Sequence, residues 1–305
     1  MTLESQTPKP MTLSERLAAI RKSGSAPASG TVVAREFELR PADFERVRKL
    51  IYARAGISLS PSKQDMVYSR LARRLRAKGM KNFSDYLDFL EKGRDAGEWE
   101  LFVNSLTTNL TSFFREPHHF PMLAEHLKKI AARRKQISIW CCAASTGEEP
   151  YSIAMTVAET FAAGSGVQVN CLCSDLDTQV LATAEKGIYS ADRVARIPAA
   201  QLQRHFQKMT DGNYSANAEL RRMMRFTRIN LLEANWPVRG TLDVIFCRNV
   251  MIYFDKPTQY KILSRFAPLM QPDGLLFAGH SENFLHAADL FRSLGKTVYE
   301  RVVKS

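Results

Sequence analysis

Between residues 137 and 302 the sequence repeats one pattern: a short run that is apolar at nearly every position, followed by a longer stretch with helical spacing. The runs fall at 137–142, 167–173, 224–229, 242–247, 275–278 and 297–302, with helical spacing at 150–163, 178–186 and 257–270. A strand without a polar face must be covered on both sides, and that is the condition of a parallel sheet flanked by helices. Strands alternating with helices indicate right-handed crossover units and an open sheet. The fold class expected is therefore α/β with a mostly parallel sheet.

The preceding segment has a different period. Phe44, Val47 and Ile51, then Val67, Leu71 and Leu75, then Tyr86, Leu87 and Leu90, then Trp99, Phe102, Val103 and Leu106 recur at helical spacing. Pro41 at a first turn, Ser60-Pro61 before the second helix, and Gly56 and Gly79 after last turns mark the boundaries. A small all-helical domain is expected over 35–107, a linker over 108–130 and the sheet domain over 131–305, with a small β-subdomain at about 205–229. Residues 1–34 read as a tail: a helix-like piece at 13–22 precedes Ser-Gly-Ser-Ala-Pro-Ala-Ser-Gly, which cannot bury enough surface to order itself.

Charge limits the partners. With 43 Lys and Arg against 31 Asp and Glu the net charge is +12, which suits an acidic nucleic acid, membrane or protein surface. No run approaches the ~18 apolar residues of a membrane span and the first ten residues lack a secretory signal, so a cytoplasmic protein is expected. Of 5 cysteines, Cys141, Cys142, Cys171 and Cys173 lie in strand-like runs and read as reduced core residues. The Cys171-x-Cys173 spacing lacks a second ligand pair and His118-His119 has none either, so no metal is expected.

In an open α/β sheet, ligands bind outside the carboxyl ends of the strands. The loop after the first strand, Ala143-Ala-Ser-Thr-Gly-Glu-Glu-Pro150, is small enough for close backbone approach but has one glycine, so a dinucleotide fingerprint is absent. Glu148 and Glu149 stand where a pyrophosphate would need bare amides. A cationic nucleoside without phosphates fits this charge pattern, and S-adenosylmethionine (SAM) has that chemistry. Asp175 at the end of the second strand suits ribose hydroxyls, Asp177 suits the cap of the next helix, and Asn230 with Leu231 suits an adenine edge and face. Residues 246–254, Phe-Cys-Arg-Asn-Val-Met-Ile-Tyr-Phe, put Arg248, Asn249 and Tyr253 at the same edge.

Residues 108–116, Thr-Asn-Leu-Thr-Ser-Phe-Phe-Arg-Glu, with His118-His-Phe120, the 143–152 loop, the 246–254 segment and Gly279-His-Ser-Glu-Asn283 together resemble the CheR family of chemotaxis receptor methyltransferases. The resemblance runs from about residue 40 to 302. It implies a Rossmann-like SAM-dependent methyltransferase domain with a small antiparallel β insertion, preceded by an all-α domain. The implied activity is that of a protein-glutamate O-methyltransferase acting on methyl-accepting chemoreceptors and releasing S-adenosylhomocysteine. By motif position the family's cofactor contacts fall on Asn109, Thr111, Arg115, Glu149, Asp175, Asn230, Leu231, and the backbone of Cys247 and Arg248. Arg248 and Tyr253 fall near the methyl-transfer point, where Arg248 is expected to guide the incoming carboxylate and Tyr253 to orient it.

This chemistry explains why no His-Asp or Cys-His arrangement is present. A glutamate side chain is already ionised at neutral pH and needs no general base. Between Lys63 and Lys81 seven basic residues meet one acidic one, and Arg70, Arg73 and Arg76 share the helix side opposite Val67, Leu71 and Leu75. With Arg74 they are expected to dock the helical bundle of a receptor's cytoplasmic domain. Residues 206–215 retain one glycine, Gly212, and read as too short to grip a receptor-tail pentapeptide, so tether-independent action by a monomer is expected. The alternatives are a nucleic-acid methyltransferase gripping phosphates through the basic helices and a module that binds SAM without transferring its methyl. Against the first, Arg248-Asn-Val-Met stands where base-amine methyltransferases carry Asn/Asp-Pro-Pro-aromatic, and no aromatic platform interleaves the arginines.

Overall fold

A computed structural model of the chain describes residues 35–93 and 95–303. Met1–Glu38 and Leu39–Ser305 are two separate units, and the described residues of the first, 35–38, carry no helix or strand. The sequence expectation of a helix-like piece and flexible tail at 1–34 lies outside the described residues. Among those residues no helix is long and apolar enough to cross a membrane.

The second unit opens with four helices: α1 (Pro41–Ala55), α2 (Gln64–Lys78), α3 (Phe83–Glu91) and α4 (Ala96–Leu106). Their starts and stops follow local chemistry. Asn82 accepts from the N–H of Asp85 and Asp95 from that of Glu98, supplying acceptors for otherwise unpaired first-turn amides. Gly56 and Gly79 close α1 and α2 at φ 68° and 63°. The periodic residues Val47, Ile51, Val67, Leu71, Leu75, Tyr86, Leu87 and Phe102 form the buried side. Inside it lies a carboxylate, Glu98, which accepts from Arg74 Nη2 at 2.6 Å and from the Tyr86 hydroxyl at 2.9 Å.

The rest of the chain runs through α5 (His119–Ala131), β1 (Gln136–Cys141), α6 (Glu148–Thr160), β2 (Gln168–Asp175), α7 (Thr178–Lys186), β3 (Ile188–Tyr189), β4 (Phe206–Lys208), β5 (Tyr214–Ala216), β6 (Met224–Arg228), β7 (Leu242–Cys247), α8 (Lys256–Phe266), β8 (Met270–Ala278), β9 (Phe291–Gly295) and β10 (Val298–Arg301), with short helical turns between. Seven strands form the main sheet in the order β6-β2-β1-β7-β8-β10-β9. The first five are parallel, and β10 runs antiparallel to both β8 and β9. Strand order reverses between β1 and β7, which opens a crevice at their carboxyl ends. All six residues of β7 are buried, Asp243 among them, which pairs with Arg134 and accepts from the Ser138 N–H at 2.7 Å.

Three differences from the sequence reading have local causes. The 108–130 segment includes helix α5, whose buried Phe120, Leu123, Leu127 and Ile130 are helically spaced. Strand β9 went unrecognised because only its first residue is buried, so an edge strand here carries no apolar run. The small antiparallel sheet has the order β3-β5-β4 and therefore starts at Ile188, not at about 205, while Met224–Arg228 pairs with β2 in the main sheet. A two-residue strand has no period to read.

Removing one partner of a buried pair leaves an uncompensated charge and costs about 3–5 kcal/mol. Arg74→Ala is expected to lose less than that, because Lys78 Nζ at 3.5 Å and the Tyr86 hydroxyl still face Glu98, and to show the loss as a fall in the denaturation midpoint at constant slope.

Candidate active site

The crevice is a cleft with about 910 Å³ of empty space including its mouth, sufficient for a nucleoside-sized ligand. Its floor is built from the loops after β1, β2, β6 and β7, and its roof from Ala55, Ile57 and the 106–111 segment. The roof is tied down by hydrogen bonds. Asn230 Nδ2 donates to the Arg54 carbonyl at 2.8 Å, the Ser58 N–H to the Tyr253 carbonyl at 2.9 Å, and Asn109 Nδ2 to Asp177 Oδ2 at 2.9 Å.

At the floor Asp175 ends β2 and is buried. Its Oδ2 accepts from the Ser145 N–H at 2.8 Å and Oδ1 from the Asp177 N–H at 3.0 Å, leaving further lone pairs toward the cleft. Burial pushes its carboxyl up to about 6 against those two bonds. Asp177 caps α7, accepting from the Gln179 N–H at 2.9 Å. Helix α6 begins at Glu148, two residues before the expected Pro150, because Gly147 at φ 101° ends the loop in a conformation other residues rarely adopt.

Arg248 corrects the sequence reading. It is 3% exposed and its Nη1 donates to Glu149 Oε2 at 2.6 Å. Nη2 donates to the Arg115 carbonyl and lies 3.4 Å from Glu116 Oε2. A guanidinium held between two carboxylates and a carbonyl is not free to guide a third carboxylate. Burial raises the Glu149 carboxyl while Arg248 opposes that shift; its Oε1 also accepts from the Cys141 thiol at 3.2 Å. Glu116 is held below the usual range despite burial, through the His280 N–H and Arg248.

The remaining expected residues divide. Thr111, Arg115, Leu231 and Tyr253 line the cleft. Arg115 gives one donor to the Leu110 carbonyl at 2.9 Å and has no acidic partner among the described residues; the Tyr253 hydroxyl has no hydrogen-bond partner among them. Asn230 lines the cleft but works as a staple, its Oδ1 accepting from the Leu232 N–H at 3.0 Å. Cys247 is buried outside the lining, and Cys142 stands in the wall instead. Sequence reasoning missed Ser145 and Glu116. Ser145 sits at φ 49°, Glu116 at 54° and Asn249 at 58°, conformations that cost free energy and gather around this one cleft.

The basic helix is also divided. Arg70 Nη1 donates to the Thr107 carbonyl at 2.6 Å, closing the end of α4 where the roof begins, and Arg74 is committed to Glu98. Neither side chain is spent on an open surface, contrary to the receptor-docking expectation. Arg73 is exposed without an ion pair to a described residue, and Arg76 is exposed beside it.

A sequence model of the family described as CheR methyltransferase, SAM binding domain, matches residues 109–300. The sheet domain is thus a SAM-binding methyltransferase domain. A second model, CheR methyltransferase, all-alpha domain, matches residues 42–107. The chain is 51% identical over 264 residues to the chemotaxis protein methyltransferase of Escherichia coli (strain K12), covering 86% of this chain and 91% of that protein. It is 51% identical over 268 residues to chemotaxis protein methyltransferase 2 of Pseudomonas aeruginosa, covering 87% and 94%. To the probable chemotaxis protein methyltransferase of Rhizobium etli it is 37% identical, covering 84% and 98%. The chain belongs to the CheR methyltransferase family.

Because Arg70 holds the hinge between α4 and the roof, Arg70→Ala is expected to weaken S-adenosylhomocysteine binding several-fold in calorimetry. Arg73→Glu, one turn away and on the surface, is expected to leave that affinity unchanged.

Proposed function

We propose that this protein transfers the methyl group of SAM to glutamate side chains of methyl-accepting chemoreceptors, giving glutamate 5-O-methyl esters and S-adenosylhomocysteine. The observation that carries the reading is a cleft lining without His or Lys, whose two carboxylates are already held by other parts of the chain. No His or Lys lines it, Glu149 is paired with Arg248, and Asp175 is bonded to two backbone amides. Such a cleft suits an acceptor that arrives already ionised, as a carboxylate does. The names of the relatives support the choice of chemotaxis receptors as targets. Nothing in the cleft favours a nucleic acid.

The residues present fit SAM: a buried carboxylate for ribose hydroxyls at Asp175, the apolar face of Leu231 for the adenine, and an acidic side chain, Glu149, for a cationic centre. Asn230, the linker residues Asn109, Thr111 and Arg115, and the backbone of Cys247 and Arg248 complete the proposed contacts. When bound, SAM supplies an electrophilic methyl group on a sulfonium. The chain's own residues then position and exclude water. Arg115 takes the role expected of Arg248, drawing the incoming carboxylate to the cleft, because its guanidinium lacks an acidic partner. Tyr253 donates its hydroxyl to orient that carboxylate. Alignment of this kind contributes on the order of 7–11 kcal/mol. Arg248 positions Glu149 and the linker from behind. Recruitment rests on the exposed Arg73 and Arg76, with Arg70 and Arg74 shaping the helices that present them.

The most direct test is transfer of tritiated methyl from SAM to receptor-containing membranes followed by alkaline release of volatile methanol, since esters are base-labile and N-methyl products are not. Base-stable label would overturn the glutamyl reading. Tyr253→Phe is expected to lower kcat at least about tenfold with S-adenosylhomocysteine affinity unchanged.

The raised Asp175 carboxyl sets a pH dependence. Its folded value of about 6 lies above the ordinary 3.8, so between those values the folded ligand-free protein binds the extra proton, and this group's contribution to stability grows as pH falls through 6. Binding that uses the carboxylate as acceptor runs the opposite way. Affinity for S-adenosylhomocysteine is expected to rise with pH through about 6, and Asp175→Asn to flatten the profile.

We also infer tether-independent action from the short segment 206–215. Strand β4 nevertheless has an open edge, which is what strand addition requires, so saturable calorimetric binding of a receptor-tail pentapeptide would reverse this inference.

A further inference from the structure

The motif Gly279-His-Ser-Glu-Asn283 contributes no residue to the cleft wall, yet it holds a carboxylate bonded to three backbone amides beside it. Glu282 is 4% exposed. Its Oε2 accepts from the Asn249 N–H at 2.9 Å and the Gly279 N–H at 2.5 Å, and its Oε1 from the Ile252 N–H at 3.3 Å. The Glu282 N–H itself returns to the Gly279 carbonyl at 2.9 Å. One side chain therefore gathers amides from two loops, the one after β7 and the one after β8.

The loop after β7 needs this partner. Residues Met251–Tyr253 form a single 3-10 turn, and the first N–H groups of any helical turn have no acceptor within it. Asn249, just before the turn, sits at φ 58°, where an L-residue is disfavoured. The conformation persists only if surrounding contacts over-determine it. Gly279 supplies the other half of the fit, because a Cβ there would collide with the Asn249 side chain and backbone. The cleft-lining members of this loop are Arg248, Asn249, Val250, Tyr253 and Phe254.

We propose that Glu282 is a positioning residue for methyl transfer, acting through the loop it binds to fix Tyr253 at the cleft, a role that rests on the glutamyl reaction proposed above. Its two oxygens face three N–H donors, so the anion is required as well as the size. A glutamine with its carbonyl at the Oε2 position keeps the Asn249 and Gly279 N–H groups but turns its NH2 group against the Ile252 N–H, inside the turn that carries Tyr253.

The test compares Glu282→Gln, Glu282→Asp, Tyr253→Phe and the Glu282→Gln/Tyr253→Phe double variant for thermal stability, S-adenosylhomocysteine affinity, and kcat and KM in methyl transfer to receptor-containing membranes. Glu282→Gln is expected to lower kcat at least about tenfold with affinity for S-adenosylhomocysteine within about twofold of the parent protein. Glu282→Asp keeps the charge and is expected to recover part of the rate. In the Tyr253→Phe background Glu282→Gln is expected to cost little more, because both changes remove the same alignment. Loss of folding in Glu282→Gln and Glu282→Asp alike, a parallel fall of affinity and kcat, an unchanged kcat, or full additivity in the double variant would each overturn the proposal. Wild-type turnover in Tyr253→Phe alone would instead remove the role given to Tyr253 in the underlying reading.

Discussion

Arg248 lies almost without solvent between Glu149 on helix α6 and Glu116 on the linker, and the site depends on that arrangement. A buried guanidinium is tolerated only with partners, and each carboxylate would be costly to bury alone. The trio joins the start of a crossover helix, the segment connecting the two domains and the loop after β7. Because Arg248 also donates to the Arg115 carbonyl, the strained backbone at Phe114 and Glu116 is held where it can turn the linker back over the crevice.

From this follows the division of labour among the polar groups. Four buried ones, Arg248, Glu149, Glu282 and Asn230, are hydrogen-bonded to other parts of the chain. Those that remain available, the Tyr253 hydroxyl and the unspent donors of Arg115, sit on flexible side chains at the cleft. A reaction whose nucleophile arrives charged demands alignment more than proton transfer, and a rigid, internally bonded floor with few free groups suits it. The helical domain shows the same economy: Arg70 and Arg74 close the fold, and Arg73 and Arg76 face outward.

Legibility of the sequence followed burial. Residues 242–247 could be read because every side chain of β7 is buried, and the stripe of Val67, Leu71 and Leu75 because α2 has one buried face. Strand β9 and the two-residue β3 left no mark, since exposure or brevity removes the period. At the site, Asp175 and Asp177 were correctly separated into a floor carboxylate and a helix cap, because strand end and helix start are local facts. The role of Arg248 was misread, because nothing local shows that residues 99 positions away in sequence would claim its guanidinium.

The amino-acid order alone determined the parallel sheet and the helical domain before it, since periodicity is a property of neighbours in the chain. Only the tertiary structure decided which arginine is buried and which is free, which carboxylate is raised by burial, and that Glu282 serves a loop thirty residues upstream. Hydrogen-bond partners and desolvation belong to groups brought together from distant segments, and their consequences exist only once the chain has closed around them.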